Sequence, residues 1–378
     1  MATKTFDIDK EIVRRFAADQ VPAPTSFNGS ISKDDEMMLH ALAAGYKRNY
    51  NRASITYYLQ GKQMMDQLRQ IVGFGFGGWT GVSSALDFAC GYGRVTRHLV
   101  QEMSPTQVCG SDIYADGVLF CAEQFGVTGI PSSSRPEALD IHETFDLILV
   151  SSLFSHLPRG LFQGWLNKLM SLLSDRGMLI FSTHGIELSG QDKLEFVFTP
   201  ESESRSLPTE DYGSTFVSVN FVAKALREAS GSSEIHWRHL AHGHLGFQDL
   251  YVVSRNESVD LAALQYDKGF FGHVDYCWLD PDSNLQLGGW AADLGIGDAP
   301  VRVRVFVNGE LAVEQIPDRD RPDVAELFGS QAALRSGWSC RFAAGWTEPT
   351  DWVSVKVVNE QGREHMIALA TREAMLAW

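Results

Sequence analysis

An apolar run that ends on an acid and breaks at once into small residues leaves a chain few folds to choose from. Ser84-Ala-Leu-Asp-Phe-Ala-Cys-Gly-Tyr-Gly-Arg-Val-Thr-Arg-His-Leu-Val100 reads as a strand closing near Asp87, a loop over Ala89–Gly93 and a helix opening near Arg94. Glycines at 91 and 93 let the backbone approach a ligand and turn tightly into the helix. A strand, a glycine loop and a helix in that order form the first half of a βα unit, which belongs in a parallel sheet. The dinucleotide fingerprint requires a third glycine at position 96, which is Thr96, and no Gly-Lys-Ser/Thr follows to make a phosphate-binding P-loop. An acidic strand end with a short glycine loop suits a nucleoside that carries an amino-acid tail and no pyrophosphate.

The surrounding chain repeats the pattern. Strands are expected at Ser84–Phe88, Gln107–Ser111, Phe145–Val150, Gly177–Ser182, Glu234–Ala241 and Asp249–Val253, with helices at 94–103, 115–125, 159–174 and 217–229. Residues 1–80 read as an N-terminal helical cap, opened at Ser32-Lys-Asp-Asp-Glu36 by an N-cap and acids in a first turn. Residues 81–256 form the α/β domain. A polar stretch from Gly185 to Ser214 is too long for a plain connection and reads as a lid. Residues 268–378 hold six of the nine tryptophans. There Val301–Val307 alternates apolar and charged residues before Asn308-Gly309, and Asp351–Val358 does so before Gln361-Gly362, the marks of an all-β sandwich.

Composition narrows the partners. A net charge of -15 argues against nucleic acid and anionic membrane, which demand the opposite sign. No apolar stretch of membrane-spanning length occurs, and the first residues lack a secretory apolar core. Five scattered cysteines form no CxxC pair, so neither a metal site nor a disulfide framework is expected, and the thiols read as reduced and cytoplasmic.

The segment Asp87-Phe-Ala89-Cys90-Gly91-Tyr92-Gly93 resembles the first motif of the class I S-adenosylmethionine-dependent methyltransferases, acid-x-Gly-x-Gly-x-Gly, with alanine in the first glycine slot. The acid that ends the second strand in that family is matched by Asp112 in Cys109-Gly-Ser-Asp-Ile113. Thr144-Phe-Asp-Leu-Ile-Leu-Val-Ser151-Ser-Leu-Phe-Ser-His156-Leu-Pro158 is similar to its fourth strand and following loop. Gly243–Ser254 is similar to the hairpin that closes its sheet. The resemblance covers about residues 80–255. It implies a Rossmann-like doubly wound sheet, S-adenosyl-L-methionine as cofactor, and contacts from Asp87, Ala89, Cys90, Gly91, Tyr92, Gly93, Arg94, Asp112, Ile113 and Ser151. The acid that often meets the adenine amino group is missing, and Ser132-Ser133-Ser134 stands there, so Ser133 or a backbone group takes that contact.

Methyl transfer to a hydroxyl benefits from a general base, and histidine is best matched to neutral pH. His156, after the fourth strand, and His184, after the fifth, are the candidates; His242 and His244 read as structural. The absence of Asn/Asp-Pro-Pro-aromatic after strand four, of a Pro-Cys nucleophile and of an acidic metal set leaves oxygen as the acceptor by elimination. Leu287-Gly-Gly-Trp290-Ala-Ala-Asp293, Val301–Gly309, Arg321-Pro-Asp-Val324 and Ser336-Gly-Trp338 resemble a β module attached to bacterial glycan-processing proteins. Its tryptophans either stack on sugars or fill a small core or a dimer interface. The expected function is therefore O-methylation of a sugar hydroxyl on a surface glycan or its precursor. The alternatives are a small natural product as acceptor and a catalytically silent cofactor-binding scaffold. A homo-oligomer or a glycan-enzyme partner would engage the C-terminal module.

Overall fold

The computed structural model describes residues 4–46, 49–201, 207–231, 235–295 and 301–376. Three helices come first: α1 (Lys10–Gln20), α2 (Glu36–Ala41) and α3 (Tyr50–Phe76). The chain divides into two compact units, Met64–Gln265 and Lys4–Gln63 with Tyr266–Trp378. The division falls at Met64, inside α3.

In Met64–Gln265 the strands are β1 (Ala85–Phe88), β2 (Val108–Asp112), β3 (Thr128–Pro131), β4 (Phe145–Val150), β5 (Leu173–Gly185), β6 (Phe196–Thr199), β7 (Ser214–Val217), β8 (His236–His244) and β9 (Gln248–Ser254). Helices α4 (Thr96–Leu99), α5 (Ala115–Phe125), α6 (Arg159–Ser171) and α7 (Val219–Ser230) lie between them. The sheet runs β3-β2-β1-β4-β5 in parallel; β9 joins β5 antiparallel, and β8 joins β9. β1 and β4 are wholly buried, because a parallel sheet is covered on both faces. One core gathers Phe88, Phe181 and Tyr251 of the sheet with Phe154 of the loop after β4, Phe162 and Trp165 of α6 and Phe221 of α7. The strand order reverses between β1 and β4, and such a point opens a crevice at the C-terminal strand ends.

Three expectations change. β3 is a short, half-exposed strand that the pattern missed, since Thr128-Gly-Ile-Pro131 has little apolar signal. The helix expected over 94–103 shrinks to α4, because Gly93 and Arg94 remain in the turn. The lid stretch forms a hairpin: β7 extends β5 at His184–Gly185 and pairs with β6. Residues 202–206 of that stretch lie outside the described residues.

In the second unit, β10 (Phe270–Leu279), β11 (Asn284–Asp293), β12 (Val301–Val307) and β13 (Glu310–Gln315) precede α8 (Pro322–Phe328). β14 (Gly337–Ala343), β15 (Trp352–Asn359), β16 (Glu364–Thr371) and α9 (Arg372–Leu376) complete it. Two antiparallel sheets, β10-β11-β14 and β13-β12-β15-β16, enclose Leu285, Leu287, Val303, Val305, Trp338 and Val355. The alternation in β12 is realised: its valines face the core, while Arg302 and Arg304 pair with Glu314. Asn308 and Gly309 turn the chain at φ 51° and 89°, as the hairpin signal predicts. Ile12, Phe16 and Tyr58 of the N-terminal helices share a core with Met366 and Leu369 of β16. The tryptophans divide by burial. Trp338 is a core residue, Trp352 lies under Arg15, and Trp278 is 46% exposed; Trp378 lies outside the described residues.

Candidate functional site

The crevice has two edges. At the first, β1 ends and the chain enters the left-handed region three times: Ala89 at φ 61°, Gly91 at 54° and Gly93 at 79°. A side chain at 93 would collide with Phe125 and Cys121. A Cβ at 91 would meet nothing within 4 Å, so this stretch of backbone faces open space. Ala89 takes the strained conformation without glycine's freedom. The fully buried Arg97 ties the turn down, its Nε donating to the Gly93 carbonyl at 3.1 Å.

Two buried carboxylates sit behind this loop and are treated differently. Asp112 is capped by backbone: Gly91 N–H donates to one oxygen at 2.8 Å and Tyr114 N–H to the other at 2.9 Å. Asp87 is 2% exposed and accepts from Thr96 Oγ1 at 2.6 Å. Burial pushes its carboxyl up to about 6, with the nearby Asp112 charge adding to the rise and the Thr96 bond opposing it. Position 96, where a dinucleotide loop would carry glycine, thus supplies the hydroxyl that satisfies the acid.

Arg94 is half-buried, and its charge reaches both Asp87 and His244. Cys90 and Tyr92 are buried, and Cys90 packs by its thiol beside Cys121 and Gly91. Ile113 follows Asp112 half-buried. Ser133 is committed to its own turn: its hydroxyl donates to the Arg135 carbonyl and accepts from the Arg135 N–H, both at 2.9 Å.

The second edge is built from the loops after β4 and β5 and from the β8–β9 hairpin. Ser151 Oγ lies 2.9 Å from His244 Nε2. Burial, with the Arg94 charge, holds the His244 imidazole down to about 3, so it is neutral at physiological pH. Ser152 takes φ 63°; its N–H donates to Ser182 Oγ at 2.8 Å, and its hydroxyl donates to Gln248 Oε1 at 3.2 Å. That bond orients the Gln248 amide so that Nε2 faces His184 Nε2 at 3.3 Å.

His156 is placed differently. Its Nδ1 lies 2.8 Å from the Gly213 carbonyl, which accepts only, so Nδ1 carries the proton and Nε2 is the basic nitrogen. Its ring stacks on Tyr212 at 4.6 Å and lies 6.2 Å from the His184 ring, which stacks on Phe216. Backbone bonds from Gly213 to His156 and from Thr215 to Ser155, both 2.8 Å, seat the lid hairpin on the loop after β4. The two expected histidines are thus brought together, and the lid supplies aromatic walls that no motif pointed to.

His242 and Asp249 lie farther along this edge. Asp249 accepts from the His242 N–H at 2.9 Å and pairs with His239 at 2.8 Å; His242 Nε2 faces Glu187 at 3.4 Å. Glu187, His242 and Asp249 bring one ligand atom each within 4.8 Å of one another.

Gln67 was not foreseen. It lies on α3, 3% exposed, beside Asp87, Ser151 and His244, and its periodicity signal is that of a helix face alone.

Residues 86–179 match a family model described as a methyltransferase domain. No curated protein matches the sequence. Among solved structures, the plantazolicin methyltransferase BamL, in complex with a triazolic desmethylPZN analog and SAH, is similar over 65% of this chain and 99% of its own. The identity is 14% and the TM-score 0.40. The N-methyltransferase NodS from Bradyrhizobium japonicum WM9, in complex with SAH, is similar over 60% of this chain and 100% of its own, at 13% identity and a TM-score of 0.36. The DhpI–SAH complex covers 59% of this chain and 96% of its own, at 15% identity and a TM-score of 0.38. The parallel β3-β2-β1-β4-β5 sheet closed by an antiparallel hairpin, with an acid-ended β1 and a glycine loop at its switch point, defines a Rossmann-like methyltransferase fold. Residues 86–179 of the chain therefore form a methyltransferase domain. Among the described residues no helix is long and apolar enough to cross a membrane.

Proposed function

We propose that the chain methylates a hydroxyl oxygen, that the acceptor is a sugar of a surface glycan or its precursor, and that His156 is the general base. The observation that carries this reading is the His156–Gly213 bond, which fixes the tautomer whose Nε2 can take a proton. His184 is the weaker candidate, because its Nε2 already faces a donating amide.

When bound, S-adenosylmethionine supplies an electrophilic methyl group. Asp112 accepts from the ribose hydroxyls, a role suited to a carboxylate whose backbone caps hold it at the end of β2. Gly91 and Gly93 bring backbone close to the amino-acid tail, with Ala89, Cys90 and Tyr92 shaping the loop and Arg94 and Asp87 setting its charge. Backbone beside Ile113 and the Ser132–Ser134 turn meets the base. The lid hairpin, with Tyr212 and Phe216, walls off the acceptor and excludes water, so that alignment and proton removal are left to the protein. Aromatic faces next to a base suit a pyranose, which stacks by its C–H face. In the C-terminal module, the exposed Tyr276 and Trp278 on β10 support a role in recruiting a glycan or a glycan enzyme.

The test is transfer of labelled methyl from S-adenosylmethionine to fractionated extract of the source organism. Label in the polysaccharide or glycolipid fraction is the expected result. Label confined to small molecules moves the acceptor to natural products. No label, with the cofactor still bound, makes the chain a scaffold.

A further inference from the structure

One side chain at the cofactor edge has no task in the reaction as described. Both amide atoms of Gln67, Oε1 and Nε2, are buried and have no hydrogen-bond partner. An amide held this way costs about 1–3 kcal/mol relative to a satisfied one. Its neighbours on the same helix, Met64 and Leu68, are apolar and buried, so an apolar residue at 67 would fill the place without that cost. Gln67 lines a small cavity with Asp87, Leu149, Ser151 and His244. The polar atoms there are already engaged: Asp87 with Thr96, and Ser151 with His244. The partner of the amide therefore comes from outside the chain.

We propose that Gln67 binds the α-amino-acid end of S-adenosylmethionine, with Oε1 accepting from the ammonium and Nε2 donating to the carboxylate. A carboxamide carries its donor and its acceptor on separate atoms, which suits the two ends of a zwitterion. The cavity adjoins Asp87, one residue before β1 ends and the chain turns into the glycine loop, and its Leu149 and Met64 walls keep the local dielectric low, which strengthens such bonds. The acceptor edge, by contrast, is lined by His156, His184 and the lid. The inference rests on the cofactor reading.

Calorimetric titration of the full chain with S-adenosylhomocysteine and with 5′-methylthioadenosine, which lacks the amino-acid end, tests it. The wild type is expected to bind the first more tightly. Gln67→Leu is expected to weaken S-adenosylhomocysteine about 10- to 100-fold while leaving 5′-methylthioadenosine nearly unchanged. Its ligand-free melting temperature should stay level or rise, because the unpaired amide is gone. Gln67→Met keeps the length of the side chain without the amide, and should show the same selective loss. Equal losses for both compounds, or no loss for either, overturn the proposal. A wild type that binds both compounds equally overturns it alone; a wild type that binds neither overturns the cofactor reading and this inference with it.

Discussion

The two edges of the crevice are built from different materials. The glycine-loop edge is mostly backbone: three left-handed residues in five, and an aspartate whose oxygens are held by two main-chain N–H groups. The histidine edge is mostly side chain, in which Ser151, Ser152, His156, His184, Tyr212, Gln248 and His244 reach one another from segments as much as 96 residues apart. Backbone sites tolerate little variation in what they hold. Side-chain sites can be rebuilt for a new acceptor without disturbing the fold that carries them.

The sharpest way to break this comparison is to remove one anchor from each edge. Asp112→Ala should lower the affinity for S-adenosylhomocysteine about 100-fold or more in calorimetry, because two charge-assisted bonds and the ribose contact are lost together. His156→Ala should leave that affinity intact and lower kcat about 100-fold, the usual share of a general base. If both variants lose cofactor affinity alike, the two edges are one cooperative site and the division fails.

A smaller effect separates the two carboxylates. Asp87 titrates near 6 in the folded chain against an ordinary 3.8. The folded state therefore holds its proton more tightly, and the group's contribution to stability is greatest below about pH 4 and is lost as pH rises toward 6. The loss is about 3 kcal/mol at most. Asp87→Asn keeps an acceptor for Thr96 and removes the charge, so the difference in stability between wild type and variant should grow from pH 4 to pH 6 and then level off in urea denaturation. A constant difference would mean that Asp87 is not desolvated.

The smallest effect is at Ala89. Its φ of 61° is one that glycine adopts without strain, so Ala89→Gly should stabilise the chain by about 1 kcal/mol in thermal melts. A loss of stability would place the alanine methyl in a packing role that offsets the strain.

The glycine-loop edge was legible as a strand end and tight turn because its requirements are local. An acid at a strand end, small residues in a tight turn and a second acid at the next strand end are close together in the chain, and each has a steric or electrostatic reason to be there. Position 96 shows the limit of such reading: a missing glycine was informative, but the bond from Thr96 to Asp87 was not visible. At the histidine edge, His156 and His184 were singled out by their place after β4 and β5. Their tautomers were not, because Gly213 and Gln248 come from a lid and a hairpin far along the chain. Gln67 could not be singled out at all, since a glutamine on a helix is ordinarily solvated.

The amino-acid sequence by itself determined the α/β order, the switch-point loop with Asp87 and Asp112, and the alternating strands of the C-terminal module, all of which follow from periodicity and backbone sterics within a few residues. Only the tertiary structure decided which nitrogen of His156 carries the proton, which of two buried acids is left poorly compensated, and that α3 carries an unpaired amide beside them. Those properties depend on desolvation and on hydrogen bonds between segments distant in the chain, and neither exists until the chain has folded.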